Sequence, residues 1–189
     1  MLRAALFSTL LLASVPAFAA ETYNFDPNHT NVVWRASHFG FSNPDGKFMG
    51  VSGKLVLDEA APANSRVEVT IPTTGLVTGI PKFDEHLKSA DFLNVEKFPL
   101  ATFVSDRVEL TGADTAKVTG NFTLNGVTKP IVLDVKLNKI APNPMSQVKT
   151  AGFSASTVIK RSEFGITTYV PNISDEVTIQ IEAEANLAS

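Results

Sequence analysis

A chain of 189 residues with 44% hydrophobic residues, no cysteine and a formal charge of -3 is long enough to bury a good-sized core without covalent staples. The missing thiols exclude disulfide scaffolds, thiol chemistry and cysteine-based metal sites together. The acidic balance, with no run of lysine and arginine dense enough to follow a phosphate backbone, speaks against nucleic acid as a partner.

At the N-terminus, Met1-Leu2-Arg3, the apolar run from Ala4 to Leu12, Pro16 and the small-residue site Ala17-Phe18-Ala19 have the three zones of a secretory signal peptide. Cleavage is expected after Ala19, leaving residues 20–189 as a single domain and moving the formal charge from -3 to -4 with the loss of Arg3. The apolar run is much shorter than the roughly 20 residues that cross a bilayer, so the expected product is exported, soluble and periplasmic. It has no cysteine after the cleavage site to carry a lipid anchor.

Beyond the leader, hydrophobicity repeats with period two. Strands are expected over Asn31 to Phe39 and Lys47 to Leu57, then where Val67, Val69 and Ile71 alternate with Arg66, Glu68 and Thr70. A helical insertion starting at Pro81 and ending near Leu93 interrupts them. A strand from Ala101 to Leu110 follows, in which apolar parity slips between Ser105 and Val108 and signals a bulge or strand end near Asp106. Val118, Phe122 and Leu124, with Gly120 on the same face, lead into Asn125-Gly126, a tight-hairpin signal because both residues tolerate positive φ. Ile131 to Leu137, Phe153 to Ile159 and Val177 to Ala183 each have one apolar and one wet face. The chain reads as all-β with about eight antiparallel strands, as a sandwich or an up-and-down barrel; periodicity does not choose between them.

The insertion carries Phe83, Leu87 and Phe92 and is either a lid or an ordinary capping helix. His29, His38 and His86 stand in three different settings without metal-ligand spacing, so no metal site is expected. The period of its strand puts His38 on the apolar face with Trp34 and Ala36. A buried imidazole needs a partner, either a core hydroxyl or backbone group or the polar head of a ligand. No G-x-S-x-G turn accompanies Ser89 or Ser162, and Asp84 and Asp91 on a short helix read as a solvated face. For Arg161 the default is a structural ion pair, the alternative an anionic head group. In the loop that follows, Ile166, Tyr169 and Val170 need cover; closure of the core is preferred for Tyr169.

Several segments together carry a resemblance. Asp84-Glu85-His86-Leu87-Lys88-Ser89-Ala90-Asp91-Phe92 leads into Phe98-Pro99 and Phe103. Around it lie Asp26-x-x-His29-Thr30, the strand of Trp34 and His38, Gly46-x-Phe48-x-Gly50, Gly120 to Thr128, Arg161-Ser162-Glu163-Phe164-Gly165 and Asp175-Glu176-Val177. In order and spacing these resemble the YceI family, over about Asp26 to Ala185. Thr30 departs from the pattern, where a serine is expected, as does the Asn43-Pro44-Asp45 insert.

The resemblance implies an exported lipocalin-like β-barrel that carries a long-chain amphiphile, a polyisoprenoid, isoprenoid quinone or fatty-acyl lipid, and needs no cofactor and no catalytic residue. Face alternation and family position together nominate Trp34, Ala36, His38, Phe83, Phe92, Phe103, Phe122, Phe153, Arg161 and Phe164 as ligand-binding. The small and aromatic residues on the inward faces suit either a ring-lined channel or a solid core. Two other readings stay open: an exported hydrolase or metal-assisted enzyme acting on a lipid-like substrate, and a ligand-free interaction module. Transient membrane contact and a dimer are both compatible with this sequence.

Overall fold

The computed structural model describes residues 19–189; the expected signal peptide, apart from its last residue, lies outside the described residues. In chain order the elements are β1 (Glu21–Phe25), β2 (Asn31–His38), β3 (Asp45–Phe48), β4 (Ser52–Leu57), β5 (Arg66–Pro72), β6 (Leu76–Val77), α1 (Pro81–Lys88), β7 (Leu100–Leu110), β8 (Thr115–Leu124), β9 (Val127–Pro142), β10 (Lys149–Lys160) and β11 (Ile173–Leu187). All pairings are antiparallel. β1, β4, β5 and β7 to β11 follow one another around a ring that closes where β1 pairs with β11, which makes a closed eight-stranded barrel. Closure leaves this ring without a free edge.

Three strands run on past that ring after a break. β2 continues β1 along the same partner: Tyr23 faces Leu187, Phe25 faces Ala185, Asn31 faces Glu182 and Ala36 faces Val177. β3 precedes β4 and lies on β2, while β6 follows β5 and lies on β3. The run from Lys47 to Leu57, expected as one strand, is therefore two, broken at Gly50 with φ +75°. β1 and β6, too short to show a period, were not among the expected strands.

Side chains bridge the breaks. Thr30 is buried, and its hydroxyl donates to the Glu184 carbonyl at 3.2 Å and accepts from the Glu184 N–H at 3.3 Å. A serine hydroxyl would bond alike, so the family departure at Thr30 keeps the contact. Thr73, also buried, donates from its hydroxyl to the Phe98 carbonyl at 2.7 Å and from its N–H to Pro99 at 2.9 Å.

The expected bulge is present as a register shift between Ser105 and Arg107 on β7. Asn125 and Gly126, at φ +51° and +75°, form the two-residue turn that pairs Leu124 with Val127. α1 is shorter than expected. It ends at Lys88, where the Ser89 N–H and hydroxyl both bond the His86 carbonyl, and the rest of the segment to Leu93 is turn. The Asp84 carboxylate accepts from the Thr78 hydroxyl at 2.5 Å and the Thr78 N–H at 2.7 Å, which holds its pKa down and fixes the entry to the helix.

The barrel thus has two unlike ends. At the lid end stand the β2–β3 turn, α1, the Asn125-Gly126 turn and the 3-10 turn Arg161–Phe164. At the other, the hairpin end, the β4–β5, β7–β8 and β9–β10 connections project.

Candidate functional site: the barrel lumen

Alternation on every strand sends one set of apolar side chains inward, and together they line a lumen of about 470 Å³ that runs from the lid end to the hairpin end. Its floor near the lid is made by Ala36, Val51, Ile71, Ala101, Leu124 and Val177. Its walls are Val69, Phe103, Val118, Phe122, Leu133, Ile179 and Ile181, and toward the hairpin end Leu55, Leu57, Leu137 and Ile140. Leu87, Phe92 and Leu93 from the inserted segment and Ile166 from the last loop cover the lid end. At the hairpin end the lining residues Glu59, Arg66, Leu110, Ala113 and Asp114 are exposed, so the lumen meets solvent there.

A glycine shapes the wall. A Cβ on Gly120 would lie 2.5 Å from the Phe103 ring and 2.5 Å from the Val104 carbonyl oxygen, so only glycine lets that ring lie across β8. Phe122 continues outward into Phe164, edge to face at 5.4 Å.

Of the residues nominated from sequence, Trp34, Ala36, Phe92, Phe103, Phe122, Phe153 and Arg161 stand in the lumen wall. Three do not. His38 is exposed: it is the last residue of β2, where the register against β11 has shifted so that it pairs with Ile173, and it meets Ser42 across a short turn at the rim of the barrel. Its expected interior place is corrected accordingly. Phe83 packs edge-on against Trp34 at 6.3 Å, outside the lumen. Phe164 is fully buried behind Phe122. Lining residues that were not nominated, such as Val51, Leu76 and Ile166, sit at a strand break, on a two-residue strand and in a loop, where no alternation marks them.

Trp34 is held in a slot. Its Nε1 lies where a Cβ on Gly46 would be only 2.7 Å away, and this buried N–H has no hydrogen-bond partner. An orphaned donor costs about 1–3 kcal/mol, which the packing of the indole has to offset.

Arg161 is 6% exposed. Its Nε, Nη1 and Nη2 donate to the main-chain carbonyls of Ser174 at 2.9 Å, Ile166 at 3.1 Å and Ile173 at 3.0 Å. The expected structural ion pair is not made, because no carboxylate lies within 4.0 Å of it among the described residues. Burial lowers the Arg161 pKa, and the field of Asp175 opposes that. Asp175 itself bonds Ser162, accepting from its N–H at 2.8 Å and from its hydroxyl at 2.7 Å. Burial pushes the Asp175 carboxyl up, but these bonds and the two nearby cations leave it below its ordinary value.

At the hairpin end Lys149 donates to Glu21 at 2.5 Å and Glu59 at 2.6 Å, and the buried Tyr23 hydroxyl donates to the same Glu21 at 2.7 Å. The Glu21 bond raises the Lys149 pKa most. His29, in the turn at the first break, bonds Asp26 at 2.8 Å, and this raises its pKa. His86 packs edge-on against Phe92 at 5.0 Å and Tyr169 at 6.4 Å. Tyr169 is exposed and caps the inserted segment from outside, not the core as expected. Among the described residues no group of His, Asp and Glu could hold a metal ion, and no helix is long and apolar enough to cross a membrane.

A closed eight-stranded barrel around an apolar lumen places the molecule among the lipocalin-like barrels. The YceI-like domain model matches residues 23–185, and the chain belongs to that family. It is 43% identical over 180 residues to Protein YceI of Salmonella agona (strain SL483), covering 94% of this chain and 93% of that one. The crystal structure of Burkholderia cenocepacia BcnA superposes with a TM-score of 0.77 at 22% identity, over 85% of this chain and 98% of the other. A polyisoprenoid binding domain from Saccharophagus degradans, implicated in plant cell wall breakdown, does so with a TM-score of 0.69 at 14% identity, over 88% of this chain and 98% of the other.

Proposed function

We propose that the protein is an exported, periplasmic carrier that holds one long-chain amphiphile in its lumen and performs no chemical step on it. The candidates are a polyisoprenoid, an isoprenoid quinone or a fatty-acyl lipid, and the working form is the single domain 20–189. The observation that carries this reading is the continuous apolar lumen of about 470 Å³, walled from lid to hairpins by inward faces of the strands. Support comes from the shared fold with a domain that binds polyisoprenoid.

Energetics fit a carrier. Each methylene moved from water into the lumen is worth about 0.8 kcal/mol, but a tail leaving a bilayer is already in hydrocarbon, so loading and unloading are nearly neutral. The protein then shields the tail during its passage through water.

The test is to purify the protein without detergent, extract it with organic solvent and identify co-purifying molecules by mass spectrometry. A stoichiometric amphiphile is the expected result. An empty protein that also takes up no added isoprenoid or fatty acid would sink the proposal. The enzymatic alternative predicts turnover of an added lipid ester, lost on substitution of His38 or His86 with binding retained.

A further inference from the structure

Two loops at the lid end form a stretch of rim poor in charge. Residues 36–44, around the β2–β3 turn, and residues 164–174, from the end of the 3-10 turn to the start of β11, contain no Asp, Glu, Lys or Arg. They lie side by side, because the Phe39 N–H donates to the Asn172 carbonyl at 2.9 Å and His38 pairs with Ile173. Aromatic rings project from both: Phe41 is 91% exposed, Tyr169 53% and Phe39 51%. A lone exposed apolar side chain is ordinary. Here three rings share one neutral rim.

The backbone beneath two of these rings is not the one they favour. Phe39 and Gly40, at φ +53° and +75°, form a two-residue turn that the Phe41 N–H closes on the His38 carbonyl at 3.0 Å. Asn125 and Gly126 have nearly the same angles, +51° and +75°, and there the first position holds a residue that tolerates the left-handed region. Phe39 puts a bulky ring in that position, and Tyr169 is left-handed as well, at φ +63°. Within the chain the Phe39 ring meets the exposed His38, and the Tyr169 ring meets His86 and Phe92, which leaves about half of each residue in water. A turn made for the barrel alone would hold asparagine or glycine at these positions, so the rings answer to something outside it.

What suits them is a lipid bilayer. The tips of turns are convex, whereas a stable protein partner needs about 800 Å² of matching surface on each side. The head-group layer needs no matching shape and takes aromatic rings readily. The N–H groups of His38, Phe39, Phe41, Val170 and Ile173 are already bonded within the two loops, to the carbonyls of Ser42, Asn172, His38, Thr167 and Tyr169, so these need no water. Both signs of charge flank the rim, Arg35 and Asp45 on one loop, Glu163 and Asp175 on the other, Lys82, Glu85 and Lys88 on α1, so the attraction is apolar. Met145 and Leu110 are exposed at the hairpin end too, but beside Glu59, Arg66 and Asp114, which would have to give up water.

We infer that the lid rim docks on a bilayer surface, with Phe39, Phe41 and Tyr169 inserted among the head groups of zwitterionic lipid. The segment that covers the lumen then faces the membrane. This goes beyond the carrier reading, and docking is measured apart from cargo.

The probes are sucrose-loaded vesicles of dioleoylphosphatidylcholine, with and without a fifth of dioleoylphosphatidylglycerol, and the readout is co-sedimentation of protein purified without detergent. The protein should bind the zwitterionic vesicles and stay bound in about 1 M salt, where charge attraction is screened. No binding, or binding that needs the anionic lipid and disappears in salt, overturns the inference. Phe41→Ser should weaken partitioning roughly tenfold, the factor expected for taking one ring out of the apolar contact. Met145→Ser should leave it unchanged, and the reverse order places the contact at the other end and overturns the inference.

Phe39→Asn separates contact from folding. It should bind roughly fivefold more weakly yet unfold at no lower urea concentration, because asparagine suits this turn. Binding like the wild type overturns the inference, and so does a fall of binding and stability together, which would make the ring structural. Sedimentation velocity tests a second copy as the occupant: a wild-type dimer broken by Phe41→Ser, with no vesicle binding, replaces the membrane by self-association. Docking by a protein that yields no amphiphile keeps the inference and tells against the carrier; cargo without docking does the opposite.

Discussion

At the lid end a single guanidinium, Arg161, is buried and answered by three main-chain carbonyls. At the hairpin end the Lys149 ammonium, 32% exposed, answers two carboxylates in contact with water. Lys149 ties together segments 128 and 90 residues apart, whereas the partners of Arg161 lie only 5 to 13 residues along the chain. Their expected contributions differ because of what is left behind when the cation goes. Removing Arg161 strands three carbonyls in a covered place, while removing Lys149 leaves two carboxylates that water solvates. A buried charge set among backbone groups is thus a structural joint, and an exposed ion network is closer to decoration of a joint made by Tyr23 and its apolar neighbours.

The sharpest break of this comparison is Arg161→Met, which should cost about 2–4 kcal/mol in urea unfolding because the Ser174, Ile166 and Ile173 carbonyls lose their donors. Next is Gly120→Ala. The new methyl meets a ring and a backbone carbonyl, which cannot swing away, and the expected loss is about 1–3 kcal/mol with a smaller lumen and weaker ligand uptake. Thr73→Val is nearly isosteric and removes one buried donor to the Phe98 carbonyl; about 1–2 kcal/mol should be lost, with faster amide exchange in the inserted segment.

Lys149→Met should have a smaller effect than any of these, and that effect should fade in about 1 M salt, where the screening length is roughly 3 Å. If it equals the Arg161 effect, the contrast between the two ends is wrong. The smallest effect is that of His29. Asp26 raises its pKa above 6.5 in the folded chain, so the stabilisation from this pair is present below pH 6.5 and lost as pH rises through the folded value. An imidazole titration by NMR should place His29 above 6.5, and Asp26→Asn should return it toward that value.

Most of the barrel was legible because each long strand keeps one apolar face, and a parity slip at Ser105 to Val108 was enough to locate the bulge. The three breaks were not legible. At Val51 and Leu76 the lining residue sits outside any alternating run, and only closure of the ring shows that β4 and β5 have partners to continue as β3 and β6. His38 illustrates the limit of a periodic reading: parity gives the side of a strand but not whether the barrel still covers it. Arg161 shows another, since sequence suggests carboxylates as partners for a cation and is silent about main-chain carbonyls from the following loop and the start of β11.

β11, the last strand, pairs with β10, β1 and β2, so the seam of the barrel joins Tyr23 to Leu187 across nearly the whole chain. During folding, the first two strands have no permanent neighbour on that side until β11 is in place. Contacts at such sequence separation are entropically late, so closure is expected to be the last event of folding. Until then the inward faces form an open, sticky trough, and the same apolar surface that later encloses a tail is what a chaperone would have to hold.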